Sequence, residues 1–248
     1  MATRFSFAMH PTDTRQEPSP SESTRKHRWR RIVVAAVFAS VLCAAYAFWP
    51  RAARLRSFDP DEVARIDAQA WRHYYEKDYA RLTRDLYRLC RRQLGASPAR
   101  SLQIGWEAAW AARVFQQSKS REQARAALPY LEKYYDIIRT VSGEPFATDE
   151  AARLELEWWQ QRRENAGPEE YARPMAACAA VLYGVFNDDI RQSAEIRARM
   201  MAWRDARGGA MTGDDWRHIE EELRRATRHL RAGVQPARAV SPPRGETP

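Results

Sequence analysis

Five acidic pairs have the residue types best suited to proton transfer: Asp61-Glu62, Asp149-Glu150, Glu169-Glu170, Asp188-Asp189 and Asp214-Asp215. A carboxyl acts as general acid or base near neutral pH when a cleft and its neighbours shift its pKa. Each pair, however, falls in the first turn of a predicted helix. There the free backbone N–H groups and the positive end of the macrodipole favour negative charge. Arg91-Arg92, Arg162-Arg163, Arg204, Arg207, Arg228 and Arg231 gather near the opposite ends of the predicted helices. Helix-end electrostatics accounts for both sets without an active site, so no catalytic residue is assigned and the reading leans away from an enzyme.

Metal and redox chemistry fare no better. His218, Glu222 and His229 sit at offsets of four and seven on one predicted helix, a spacing that can present ligand atoms along a face. The H-E-x-x-H pattern of zinc helices is missing, and Arg224, Arg225 and Arg228 beside them would repel a cation. Cys90 and Cys178 sit among apolar neighbours and read as two buried free thiols, with a disulfide as the alternative in an oxidising compartment. There is no C-x-x-C, no G-x-x-x-x-G-K-[ST], no G-x-G-x-x-G and no G-x-S-x-G. No metal and no cofactor is therefore expected.

The most distinctive run of the domain is "LELEWWQQRRE", residues 154–164. Trp158 and Trp159 point about 100° apart on a helix, so only one can sit at the centre of a buried stripe. The plain reading has one in the core and the other at a groove edge over an arginine stem. The sharper reading makes Trp158, Trp159 and Arg162 a partner-binding anchor, because Trp and Arg dominate interface hot spots.

Helices must carry all of these residues. Start signals recur at Asp59-Pro60, Ser97-Pro98, Ser120 with Gln123, Thr148, Gly167-Pro168, Asn187, and Thr212 with Asp215. Stops stand at Gly95, Gly143, Gly167, Gly208-Gly209 and Gly233. Together they predict about seven helices and no strand. The first spans about 60–94 with a break near Asp78, and Pro129 and Pro174 mark a kink or a true helix start. Residues 59–233 are long enough for one core, and an all-α bundle is the expected fold class. The stretch 102–138, with Gly105, Trp106, Ala109, Ala124, Leu128 and Tyr130, resembles a tetratricopeptide-like unit. That resemblance implies a helical-repeat array as the alternative, although no period of 34 recurs.

Ahead of the domain, Ile32 to Trp49 is free of charge and makes about 27 Å of helix, close to the thickness of a bilayer core. Ile32, Phe38, Cys43 and Trp49 belong to this predicted transmembrane helix, and Tyr46, Phe48 and Trp49 suit the aromatic belt of an interface. Ala45-Tyr46-Ala47 offers a signal-cleavage alternative. The long leading segment and the length of the apolar run favour an uncleaved anchor. Six basic residues flank its N-terminal side and four its C-terminal side, which predicts a cytoplasmic N-terminus and a domain outside, periplasmic if the cell is bacterial.

Of the net charge of +9, +7 lies in residues 1–56 and only +1 in residues 57–233. A nucleic-acid partner would call for the excess on the domain, so none is expected. Residues 1–31 read as a disordered basic tail, 50–58 as a linker and 234–248 as a Pro-rich tail. The expectation is a single-pass, membrane-anchored helical protein that binds a protein partner or scaffolds one at the envelope, with an envelope enzyme or a repeat adaptor as alternatives.

Overall fold

The computed structural model describes residues 22–49, 55–209 and 211–235. Among them every regular element is a helix and there is no strand. The chain divides into two units, one ending at Ala45 and one starting at Tyr46.

The first unit is built on α1 (Glu22–Phe48). Its stretch Arg28–Phe48, 21 residues, is long and apolar enough to cross a membrane, and it has no buried face. The helix starts at Glu22, ten residues before the expected boundary, so its basic approach continues the same helix. The expected tails at 1–21 and 236–248, and Pro50, lie outside the described residues.

The second unit holds α2 (Pro60–Tyr75), α3 (Tyr79–Gln93), α4 (Pro98–Gln117), α5 (Arg121–Ala124), a 3-10 turn (Arg125–Ala127), α6 (Leu128–Ser142), α7 (Thr148–Arg163), α8 (Pro168–Tyr183), α9 (Asp188–Arg207) and α10 (Gly213–Gly233). Among the described residues, the seven expected helices thus become nine. The first divides because Asp78 caps α3, its carboxylate accepting the Arg81 N–H at 3.1 Å. The third divides because the chain tightens into a 3-10 turn before Pro129, which sits in the first turn of α6. α8 runs unbroken through Pro174.

Most helix starts have the chemistry their sequence announces. Asp59 accepts from the N–H groups of Asp61 and Glu62, Asn187 from that of Ile190, and Thr212 with Asp215 closes a reciprocal capping box. Thr148 is an exception: α7 begins without a side-chain cap. Gly143 and Gly184 end α6 and α8 at φ +70° and +61°, a region costly for other residues.

Each long helix packs on its neighbours in the chain, and α10 returns to α2. Arg228 forks Asp61 at 2.8 and 2.9 Å, and Thr227 Oγ1 donates to the Pro60 carbonyl at 2.9 Å across that closing pair. An open repeat array leaves its first and last units apart. This closed circuit is a bundle.

Two apolar clusters fill the circuit. One gathers Leu55, Phe58, Ile104, Leu131, Tyr135, Leu156, Ile190 and Val234. The other gathers Ala64, Tyr171, Met200, Met201, Ile219 and Leu223, ringed by Trp71, Trp158, Trp203 and Trp216. Each fully buried Leu or Ile contributes roughly 1.5–3 kcal/mol. Leu55 and Phe58, expected in a linker, and Val234, expected in a tail, are core residues, so the packed domain runs from Leu55 to Val234.

Candidate functional site

On α7, Trp158 and Trp159 do diverge: Trp159 packs on the first cluster and Trp158 on the second, both half-buried. Trp159 meets Phe115 edge-on at 5.3 Å, and its indole N–H donates to Glu155 at 3.0 Å. Arg162 turns across the bundle, forking Asp205 at 3.0 and 2.9 Å and lying 5.5 Å from the Trp71 ring. Its guanidinium is engaged within the protein. The three residues stitch the two clusters together.

Behind Trp159 lies the most heavily titratable part of the core. The Tyr135 hydroxyl donates to Glu155 at 3.0 Å and lies 3.2 Å from Cys178 Sγ, whose S–H reaches the Ala151 carbonyl at 3.6 Å. Burial holds the Glu155 carboxyl above the usual carboxylate range, against the pull of its indole and phenol donors. Cys90 and Cys178 are free thiols, both buried. Burial pushes Cys90 up to about 12 and raises Cys178 as well, so neither presents a thiolate near neutral pH.

The sequence-level metal candidates are dispersed. His229 pairs with Asp189 at 2.7 Å, His218 packs on Trp203, and Glu222 pairs with Arg225 at 2.6 Å. Among the described residues no three His, Cys, Asp or Glu side chains gather as a metal site. The acidic pairs do sit in first turns as expected. A cleft of about 480 Å³ between α8 and α9 brings together Glu169, Arg173, Arg191, Glu195 and Arg199, with alanines between them and Phe186 at its edge. Glu195 is held there by Arg191 at 2.7 Å and Arg199 at 3.7 Å.

α4 departs from ordinary amphipathic design. Its buried face carries Ser101, Ile104, Glu107 and Ala111, with Glu107 held by Lys133 at 2.7 Å and Ser101 Oγ without a partner among the described residues. Its outer face carries Leu102, 59% exposed, and Trp106, 62% exposed, with Ala109 beyond them. Trp110 stands beside Trp106 at 5.7 Å, stacks on Tyr130 at 6.3 Å and receives the Arg113 guanidinium at 5.5 Å. Large apolar groups face outward here while a carboxylate faces inward.

Set beside known proteins, the chain matches no family model, no curated protein and no solved structure. Its site must therefore be argued from its own geometry. The α4 face is the surface that sequence reasoning missed. Trp106 and Ala109 do stand out in the sequence, but as packing residues of a helix pair. The available signal was the offset of Leu102, Trp106, Ala109 and Arg113, which share one face and leave Glu107 on the other.

Proposed function

We propose that this is a single-pass membrane protein, N-terminus in the cytoplasm and helical domain outside, whose domain binds a protein partner through the outer face of α4. The observation that supports this reading is the inversion of α4, with Leu102 and Trp106 outside and Glu107 inside. A contiguous exposed apolar patch bordered by polar groups marks an interaction surface. The composition is that of a binding hot spot: two tryptophans, a tyrosine and an arginine laid over one of the indoles. The 21-residue apolar helix supports the anchor, and the basic excess ahead of it supports the orientation.

Two experiments test it. A phosphatase fused after residue 235, active only outside the membrane, should be active in the membrane fraction. Activity of a cytoplasm-maturing fluorescent fusion instead would reverse the topology. A photo-crosslinking residue at Trp106 should give a discrete adduct in cells that is lost with Leu102→Asp. Adducts of equal yield from exposed Glu221 on α10 would refute the α4 site.

A further inference from the structure

The first core residue of the domain, Leu55, follows Trp49 by six residues. Fully extended, that stretch spans at most about 21 Å. From there Arg56 is fastened between two loops. Its guanidinium forks Glu144, at 2.7 and 2.9 Å, in the loop after α6, and donates to the Tyr183 carbonyl at 2.6 Å, next to the loop after α8. The side chains of Arg231 and Asn187 hold the start of the domain and the start of α9 to the end of α10. The same end of the bundle thus carries the start of α2, the loops 143–147 and 184–187, and the last turn of α10. α2 then leads away from it for 16 residues, about 24 Å.

At this end stands Phe186, 63% exposed, in the short loop behind the left-handed Gly184. Half-buried Val185 adjoins it, and exposed Pro145 and Ala147 occupy the other loop beside Arg56. Charge is mixed: Arg173, Arg191 and Arg199 stand with Glu169 and Glu195 in the cleft that Phe186 borders, and Arg56 and Arg139 with Glu144, Asp149, Glu150 and Asp188 around the loops.

We propose that this end of the domain rests on the lipid surface, with Phe186 inserted at the headgroup level. The inference rests on the anchor reading above. The occupant follows from chain length: a first core residue within about 21 Å of an interface holds this end of the domain nearer to it than the far end of α2. Tethering turns docking into an intramolecular event, so one aromatic side chain suffices where it would be too weak in solution. Because the charges nearly balance, insertion rather than attraction to anionic lipid is the driving term, and docking should persist on zwitterionic vesicles.

The test uses the full chain with Cys43→Ala, leaving only the two buried thiols. Ala147→Cys carries an environment-sensitive fluorophore, and Gln117→Cys, at the far end of α4, serves as the control. Each is reconstituted into phosphatidylcholine vesicles containing a shallow doxyl-labelled lipid. The expected result is quenching at position 147 and none at 117. Phe186→Asp should lower the docked-to-free ratio about tenfold, the loss of one partly buried aromatic group, and Phe186→Trp should retain docking. Vesicles that float with the protein while position 147 stays unquenched would overturn the inference and leave Phe186 to a protein contact. Protein that fails to float would overturn the anchor reading and the inference with it. Equal quenching at both positions would also overturn it, since no one end would then be favoured.

Discussion

Replacing Arg56 with Met should unlatch the start of the domain by a calculable amount. Arg56 makes three bonds of 2.6 to 2.9 Å, two to Glu144 and one to the Tyr183 carbonyl, with about a third of its side chain exposed. A charge-assisted hydrogen bond is worth roughly 1.5–3 kcal/mol when buried, and partial exposure discounts that heavily. The net cost should be about 2 kcal/mol. For a domain of this size that lowers the thermal midpoint by about 4–8 °C, read by far-UV circular dichroism of the full chain in detergent micelles. Glu144→Gln should cost less, and the double variant should show a coupling of about 1 kcal/mol. The pH dependence fixes the sign. The hydrogen bond and charge of Arg56 hold the Glu144 carboxyl below its ordinary value of 4.5. Its contribution is therefore full above that value and fades as pH falls through the folded pKa. The gap between wild type and Arg56→Met should stay constant through neutral pH and narrow in acid. An unchanged midpoint, or a gap that widens in acid, would refute the reasoning.

Gly233→Ala would place a methyl 2.8 Å from Asn187 Oδ1 and 2.9 Å from Ile190 Cγ1, and should cost about 1–3 kcal/mol in thermal unfolding. Gly105→Ala, with open space around its new methyl, should be neutral or stabilising by up to about 1 kcal/mol. Glu155→Gln should flatten a pH slope. Burial raises the folded pKa of Glu155, so wild-type stability from this group is full below the ordinary value of 4.5 and declines as pH rises through the folded pKa. Parallel melting curves for the two proteins across that range would count against it. Trp159→Ala should cost about 2–3 kcal/mol and Trp106→Ala less than about 0.5 kcal/mol in the same melts; similar losses for both would mean that α4 is not a free face.

Helix boundaries were legible because they are local. Asp59-Pro60, Asp78, Asn187, and Thr212 with Asp215 each need only the next three residues to do their capping, and each stands where its chemistry points. The orientation of α4 was legible only in part. The offset of Leu102, Trp106, Ala109 and Arg113 defines a face, but nothing near residue 107 announces that Lys133 of α6, 26 residues on, pairs with a buried Glu107. Leu55, Phe58 and Val234 were lost for the opposite reason: isolated apolar residues in stretches of linker or tail composition carry no period. The angle between Trp158 and Trp159 was deducible from helix geometry alone. That Arg162 would be engaged by Asp205 of α9 was not.

The pairing of α10 with α2 has a consequence for the order of assembly. Every other substantial helix pairing joins elements adjacent or next but one along the chain, and such contacts form quickly because little chain must be ordered to bring them together. Joining Asp61 to Arg228 closes a loop of 167 residues, an entropy cost of about 4–5 kcal/mol if the chain between were slack. That closure becomes affordable only once the intervening helices have condensed, so the seam forms last. Arg56, one residue from Leu55, sits on this seam with Arg231, which donates to its carbonyl. Tension on the linker would therefore bear first on the contacts completed last, and the domain would open from its point of attachment while the middle of the circuit stayed folded.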